Sequence, residues 1–430
     1  MKIPSSKESF SLTKNNEVSL KSIKNGQLFI GKVLKEVSNQ TVLIQTNGHQ
    51  LLAQSEMKLE INKRYIFQAF HKDQKIYFKM IKDNKSKPLN TLQDTNTLIG
   101  QIISTSKINN SKLNRQLLSI MLNENLPFTE NELKHIARWI EYKNDHFRAI
   151  ESIKLITTNA IPINNDSLDG IYSILNKESM STQLLKLQNQ LIVQTASKDS
   201  NLGSLISTIS KILNFNPIPK HFLTGENSAV QFTDLLKTLG LMTNTHNMQG
   251  SNPPIESLKQ QLNSVLWELQ DNKPLSENIK QLIQRIYGME LLSQDNEYLQ
   301  QILVQTPIKL GDFLSDLTIQ WSGQKDKEGK INVDHCHILF YLQLQHIGET
   351  VIDLRIQNRV INVLVYNKFS QLLGVLEQLK PSLKENLEQY GYTLSAVKLT
   401  IPKNNHQGLK AILSTNQLYS TNFNGVDLRV

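Results

Sequence analysis

The chain has 430 residues, of which 39% are hydrophobic and 20% are charged, and its mean hydropathy is −0.33. These values are typical of a soluble globular protein with two to four domains, and no stretch approaches the roughly 18 apolar residues of a membrane span. Cys336 is the sole cysteine, which excludes an intramolecular disulfide and a cysteine-rich metal site. The N-terminal stretch is polar and lacks the apolar core of a cleavable signal peptide. We therefore predict a cytoplasmic protein, unless it is exported by a route that requires no such signal.

The net charge of +9 is concentrated at one end of the chain. Residues 1–90 contain 16 Lys and Arg against 7 Asp and Glu, which gives +9, whereas residues 91–331 contain 22 against 24 and residues 332–430 contain 9 against 7. A basic excess confined to one region favours an acidic partner, a nucleic acid or an anionic membrane surface.

The N-terminal region predicts a small all-β domain behind a short tail. Residues 1–22 are rich in Ser, Lys and Asn, which predicts a disordered tail. Short alternating runs in residues 23–83 predict a basic β-barrel of the OB or SH3-like kind. Asn47-Gly48 predicts a tight hairpin because both residues tolerate positive φ, and Gly31 permits a sharp bend in the first strand. The five predicted strands are QLFIGKVL, TVLIQT, HQLLAQ, RYIFQAF and KIYFKMI.

Six aromatic residues in the predicted barrel permit two interpretations. They either stack on the bases of single-stranded nucleic acid or fill the interior of the barrel. Because neighbouring residues of a strand point to opposite faces, only one of Tyr77 and Phe78 faces inward. The six are Phe29, Tyr65, Phe67, Phe70, Tyr77 and Phe78.

Residues 84–98 predict a polar linker, and residues 99–303 predict a helical region that ends with the helix NEYLQQILVQ. An apolar–proline pair followed by a polar residue occurs at Leu126–Thr129 and again, 35 positions later, at Ile161–Asn164. Each copy predicts a helix start, and Thr129 with Glu132 predicts a capping box. The two copies indicate either stacked helical hairpins or a chance duplication of a common helix start.

The C-terminal block, residues 304–403, predicts an α+β domain of strands plus a helix pair. After a strand at Phe313–Trp321, the alternating runs HILFYLQLQ, ETVIDLRIQ and RVINVLVYN predict half-buried strands. The segment FSQLLGVLEQLKPSLKENLEQYG predicts two helices, with Pro381 at the start of the second and Gly391 at its end. A strand, LSAVKLTI, follows. The chain is thus predicted to be a multidomain α+β protein. Residues 404–430 predict a polar tail whose run GVDLRV either adds to a sheet edge or is ordinary strand sequence.

The pattern of this block resembles the C-terminal domain of flagellar hook-length control proteins. That family has a leucine-rich strand, a Pro-x-x-Leu-Gly turn, two strands, a helix pair and Gly-x-x-Leu before a last strand. The matching positions are Leu342, Leu344, Gly348, Val351, Asp353, Leu354, the strand to Val365, Leu379, Leu383, Leu387, Gly391, Leu394 and Val397. In the turn, Gln345-His346-Ile347-Gly348 keeps the glycine but lacks the proline and has isoleucine for leucine.

This resemblance implies a non-enzymatic component of bacterial flagellar assembly. In the family, an N-terminal region is exported through the flagellar type III apparatus and the C-terminal domain contacts the export gate to switch its substrates. The long ruler segment rich in Gln, Ser and Pro that the family usually carries is missing here, since the chain has only 12 prolines. The predicted protein-binding residues lie at the turn and on the following strand, and are His346, Ile347, Gly348, Val351, Asp353 and Arg355.

Alternation assigns the two faces of this strand. Ile352, Leu354 and Ile356 are predicted to point to the helices, and Val351, Asp353 and Arg355 to the outer face. The helix residues predicted to cover the inner face are Leu372, Leu376, Leu379, Leu383 and Leu387.

No motif in the sequence supports an enzyme, a cofactor or a metal site. His335 and His337 share a strand face from which Cys336 points away, so the three do not converge on one ion. Gly-rich phosphate loops, nucleophile elbows and His-x-x-x-His motifs do not occur in the sequence. The alternative function is a binding module whose basic barrel docks nucleic acid or an acidic protein, without a flagellar role.

Overall fold

The computed structural model describes residues 9–12, 24–38, 41–46, 49–54, 59–72, 75–80, 92–194, 200–215, 225–241, 256–268, 272–293, 295, 299–326, 329 and 331–401. These residues form a mixed α+β protein with eleven helices and two sheets. They divide into two units, one up to Leu168 and the other from Asp169. None of the described helices is long and apolar enough to cross a membrane.

The first unit begins with an antiparallel barrel. Its strands are β1 (Ser9–Leu12), β2 (Leu28–Ser38), β3 (Thr41–Thr46), β4 (His49–Gln54), β5 (Arg64–Lys72) and β6 (Lys75–Met80). The sheet curls until β1 pairs with both β4 and β6, in the order β1-β4-β3-β2-β5-β6. The five predicted strands are confirmed. The prediction of a disordered tail is wrong at Ser9–Leu12, and the rest of residues 1–22 lies outside the described part of the chain.

Most of the aromatic residues fill the barrel. Phe29, Phe67 and Phe78 are buried, with ring centroids of Phe29 5.7 Å from Phe67 and 5.1 Å from Phe78. A Cβ atom on Gly31 would lie 2.5 Å from Cγ2 of Ile44, so this glycine is required by close packing. Tyr65 is buried as well, whereas Tyr77 and Phe70 are half-buried. The interior interpretation is therefore confirmed for the four buried rings.

Five helices follow the barrel: α1 (Leu92–Ser106), α2 (Lys112–Asn123), α3 (Glu130–Glu141), α4 (His146–Thr158) and α5 (Asn165–Ile174). The predicted linker, residues 84–98, is wrong from Leu92 onward because α1 begins there. The predicted capping box is confirmed, since Thr129 and Glu132 exchange side-chain and backbone hydrogen bonds at the start of α3. In the second copy the Asn164 side chain accepts a hydrogen bond from the Ser167 backbone N–H at 2.8 Å. Both apolar–proline pairs therefore precede helix starts.

The loop between α2 and α3 joins the barrel to the helices of the first unit. The Asn125 side chain accepts a hydrogen bond from the Ile30 backbone N–H at 2.9 Å and donates one to the Thr46 hydroxyl at 3.3 Å. Asn125 has a φ of +55°, a conformation that asparagine tolerates better than most residues. Leu28 forms an antiparallel bridge with buried Phe128. The barrel and the helices following it therefore pack as one unit.

The second unit combines helices with a six-stranded sheet. Its remaining helices before the sheet are α6 (Met180–Gln194), α7 (Ser200–Leu213), α8 (Gly225–Leu239), α9 (Leu258–Glu268) and α10 (Lys273–Leu292). The α5 and α10 backbones meet at Gly170 and Gly288, because a Cβ on Gly288 would lie 2.7 Å from the Gly170 carbonyl carbon. Glycine at both positions permits this approach.

The sheet has the order β12-β11-β10-β9-β8-β7, and all neighbours are antiparallel except β11 and β12. The strands are β7 (Leu299–Leu310), β8 (Phe313–Lys325), β9 (Ile331–Leu344), β10 (Gly348–Gln357), β11 (Val360–Tyr366) and β12 (Thr393–Thr400). The helix predicted at NEYLQQILVQ is wrong from Leu299, where β7 begins, so the helical region ends before residue 303 and the sheet begins before residue 304. The apolar residues of β7 form a strand because β7 pairs with β8 along its whole length.

One helix, α11 (Leu372–Gln389), lies between β11 and β12. The predicted helix pair is wrong because Pro381 lies inside this helix. Proline removes one helical N–H, but Pro381 is exposed, so water can reach the backbone group that loses its partner. Gly391, with a φ of +76°, ends the helix region as predicted. The predicted last strand is confirmed as β12, and the predicted tail strand in residues 404–430 lies outside the described residues.

The helix covers less of the sheet than predicted. Leu376 and Leu387 pack against the core formed by buried residues such as Ile356 and Ile361. Leu379 and Leu383 are 59% and 38% exposed, so the prediction that they cover the inner face is wrong. Leu372 is half-buried. The residues of β10 have the predicted sidedness, because Ile352 and Leu354 also pack against this core.

Candidate functional site

The predicted site begins at the turn between β9 and β10. Gly348 has a φ of +64°, which favours glycine and explains why this residue type is suited to the turn. His346 is exposed, and Ile347 and Gly348 are half-buried. The turn therefore presents the His346 side chain to solvent.

A residue that the sequence analysis missed, Asn367, fixes this turn. Its side chain is buried and donates hydrogen bonds to the Ile347 carbonyl at 3.0 Å and to the Thr350 hydroxyl at 2.8 Å. Its side-chain oxygen accepts a hydrogen bond from the Phe369 backbone N–H at 2.8 Å. One amide thus connects the β9–β10 turn to the segment before α11. Asn367 follows strand β11, and only the sheet register brings it to the turn.

Asp353 forms the centre of a buried charged cluster on the sheet face opposite α11. His337 Nε2 lies 2.7 Å from Asp353 Oδ1, and because a carboxylate only accepts, the imidazole N–H donates. Arg355 donates from Nε at 3.2 Å and from Nη2 at 3.1 Å. The side chains of Asp353 and His337 are 7% and 6% exposed, whereas that of Arg355 is 55% exposed. The cluster is therefore a buried pair with one solvent-facing arginine.

Burial by itself would raise the pKa of Asp353. Hydrogen bonds from His337 and then from Arg355 outweigh burial, so the pKa of this carboxyl is lowered below its ordinary value of 3.8. Asp353 is consequently ionised at neutral pH. Nearby, burial and then the charge of Glu349 raise the pKa of Tyr341 to about 12, so its phenol stays neutral.

The structure corrects part of the predicted interaction site. Val351 is buried beside Leu339, and Asp353 is buried in the cluster, so neither side chain is open to a partner. Arg355 remains accessible, as does the turn. Because Gly348 and Arg355 are seven positions apart on β10, about 23 Å at the rise of a strand, they do not form one compact site.

The His335-Cys336-His337 run has the predicted alternation. His337 is buried on the face opposite α11, Cys336 belongs to the core on the α11 side, and His335 is exposed. Burial raises the pKa of the Cys336 thiol. In the described residues, no group of three His, Cys, Asp or Glu side chains is placed to hold a metal ion.

A second buried polar centre lies between helices and sheet in the second unit, and it too escaped the sequence analysis. The Arg285 guanidinium donates to the Gln305 side chain at 2.9 Å, to the Gln183 side chain at 3.0 Å and to the Glu178 carbonyl at 2.8 Å. Burial lowers the pKa of Arg285 to about 10, which still leaves it charged at neutral pH. Arg285 therefore orders α10, α6 and β7 by hydrogen bonds rather than forming an open site.

The barrel carries a basic pair on its outer surface. Lys32 on β2 is directly opposite Arg64 on β5. Arg64 is exposed and Lys32 is half-buried. Like charges directly opposite one another destabilise a sheet, and among the described residues neither has an ion-pair partner. The pair therefore places two positive charges side by side on the surface of the barrel.

Comparison with known proteins gives one distant similarity. A segment of 143 residues, 33% of this chain, is 29% identical to the Bacillus subtilis (strain 168) protein named "Uncharacterized protein YlqG". The match spans 25% of the length of that relative. No protein-family model matches the chain, and no solved structure matches it.

Proposed function

We propose that the protein is a non-enzymatic component of bacterial flagellar assembly that acts through its C-terminal α+β region. The observation that carries the proposal is the order of elements from β9 to β12, with Gly348 in the first turn and Gly391 before the last strand. This order supports the resemblance to hook-length control proteins. The partner is then the flagellar export gate, and the protein is cytoplasmic or exported without a cleaved signal.

Within this proposal the accessible contact residues are His346 in the turn and Arg355 on β10. Both are exposed polar side chains on a rigid support, since Asn367 holds the turn and Asp353 orients the guanidinium. Two features distinguish the chain from the family pattern. Pro381 lies inside one helix instead of starting a second, and the turn lacks its proline. The Gln-, Ser- and Pro-rich ruler segment of the family is also missing from the sequence, so the proposed function does not include measuring hook length.

The test is a deletion strain of the source bacterium examined by electron microscopy. We expect hooks of abnormal length and a loss of filaments, both restored by the wild-type gene. The double variant His346→Ala and Arg355→Ala should fail to restore filaments while being produced at normal levels, and Lys384→Ala, at an exposed position on α11, is the matched control. Hooks of normal length with full filaments in the deletion strain would refute a flagellar role.

A second candidate function is an anion-binding module built on the OB or SH3-like barrel. The observation favouring it is the Lys32–Arg64 pair, which gains a counter-ion when nucleic acid or an acidic protein binds. Because the aromatic rings are mostly interior, such binding would use charge rather than base stacking.

Fluorescence anisotropy of the full chain with a labelled single-stranded oligonucleotide tests this candidate. We expect binding that weakens as salt is added and that is lost in the double variant Lys32→Glu and Arg64→Glu. The variant Lys384→Glu, which changes an exposed lysine of α11, should bind like the wild type. Absence of binding, or binding insensitive to salt, would rule out the nucleic-acid form of this function.

A further inference from the structure

The two edges of the six-stranded sheet differ. Strand β12 is one edge, and no other described strand pairs with its outer side. Its sequence, TLSAVKLT, contains no proline and only one charged residue, Lys398. Edge strands of soluble proteins are usually protected by proline, by several charges or by a covering segment, because their unpaired N–H and C=O groups attract other strands. Within the described residues, β12 has none of these protections except its single lysine.

The opposite edge, β7, is protected from Leu303 to Lys309. Over this stretch every second residue either donates its backbone N–H to a neighbouring element or has no N–H to donate, as in Pro307. The backbone N–H of Leu303 donates to the Ser293 hydroxyl at 2.9 Å, that of Gln305 to the Met289 sulfur at 3.0 Å and that of Lys309 to the Phe215 carbonyl at 2.8 Å. In the described part of the chain, an edge without backbone partners is therefore a property of β12 and not of both edges of the sheet.

Apolar side chains of α11 remain uncovered on the side of the sheet where α11 packs. Leu373, Val375 and Leu379 are exposed, although Leu376 on the same helix packs against the core. On β12, Val397 and Leu399 belong to the same core but are only half-buried. A strand added to β12 would place every second residue on this apolar side.

The other side of β12 carries one positive charge. Lys398 is exposed and lies next to Leu364 on the face opposite α11. A strand added here would present its alternate residues to this lysine. From the open edge, the apolar side and the charge of Lys398, we propose that β12 is a docking site for an extended segment of a partner protein in which apolar residues alternate with acidic ones.

Two synthetic peptides that differ only in charge test this docking site on the full chain. The acidic probe alternates Val or Leu with Glu, and the basic probe has Lys at each Glu position. We expect the acidic probe to bind about fivefold more tightly, as one cross-strand ion pair permits. Hydrogen exchange of β12 should slow on addition of this probe, while exchange in the barrel should not change.

Two substitutions at exposed positions complete the test without disturbing the core. Lys398→Glu should reverse the preference between the probes, and Leu379→Asp should weaken both. Lys384→Glu is the matched control and should keep the wild-type preference. The proposal is overturned if neither probe binds, or if binding leaves β12 exchange unchanged. It is also overturned if β12 is already protected from exchange in the free protein, since a second copy or the chain's own run GVDLRV would then occupy the edge.

Discussion

Replacing Asp353 with alanine distinguishes a structural role of the charged cluster from a role in partner contact. The variant removes the acceptor of His337, whose side chain is 6% exposed, so water cannot readily replace the lost hydrogen bond. An unsatisfied buried donor costs about 1–3 kcal/mol. The Arg355 side chain is 55% exposed, and its share of the ion pair is therefore about 0–1 kcal/mol. We expect Asp353→Ala to destabilise the β9–β10 region by about 1–4 kcal/mol in total.

Hydrogen exchange measured by mass spectrometry is the appropriate assay because it reports on β9 and β10 separately from the rest of the chain. A loss of about 1–4 kcal/mol corresponds to exchange that is about 5- to 700-fold faster. The matched variant is Arg355→Ala, for which we expect an effect below about fivefold. Equal exchange rates in the wild type and Asp353→Ala would refute the argument, since the buried His337–Asp353 hydrogen bond would then contribute nothing.

One further prediction concerns the pH dependence of the Asp353 cluster, and two concern other contacts. The stabilisation from Asp353 should be complete above its ordinary pKa of 3.8 and should be lost as pH falls through its lowered folded value, so the acid-induced loss of urea resistance should be smaller in Asp353→Asn. Gly288→Ala should lower the melting temperature, because its new methyl group would lie 2.7 Å from the Gly170 carbonyl carbon and overpacking of this kind costs about 1–3 kcal/mol. Asn367→Ala should speed exchange at the β9–β10 turn, with a cost of about 1–3 kcal/mol from unsatisfied buried groups.

The last two of these predictions have matched controls. Gly203→Ala, on α7 with open space around the added Cβ, should raise stability by about 0.5–1 kcal/mol. Asn362→Ala, at an exposed position of β11, should leave the turn unchanged. If Gly288→Ala is as stable as Gly203→Ala, the helices do not pack at Gly170. If Asn362→Ala and Asn367→Ala have equal effects, the hydrogen bonds of Asn367 do not hold the turn. An acid transition unaltered in Asp353→Asn would show that another carboxylate controls it.

The local sequence pattern was sufficient to predict most of the strands and helix starts. The alternation of β10 correctly separated Leu354 on the α11 side from Asp353 on the opposite side, because successive residues of a strand point to opposite faces. The capping box at Thr129 was equally predictable, since its two hydrogen bonds join residues three positions apart. Gly391 was identified for the same reason, as positive φ is a property of single residues, whereas Gly348 was identified through the family resemblance.

Burial and pairing partners were decided only by the tertiary structure. The sequence identifies the face on which Asp353 lies, but its burial depends on His337, sixteen residues away on the neighbouring strand. Likewise, the run at Leu299 becomes a strand because β8 pairs with it, whereas its composition also suits a helix. Arg285 donates to acceptors as distant in sequence as the Glu178 carbonyl, 107 positions along the chain. Periodicity determines which residues can share a face, while the free energy of burying them depends on contacts that only the folded chain brings together.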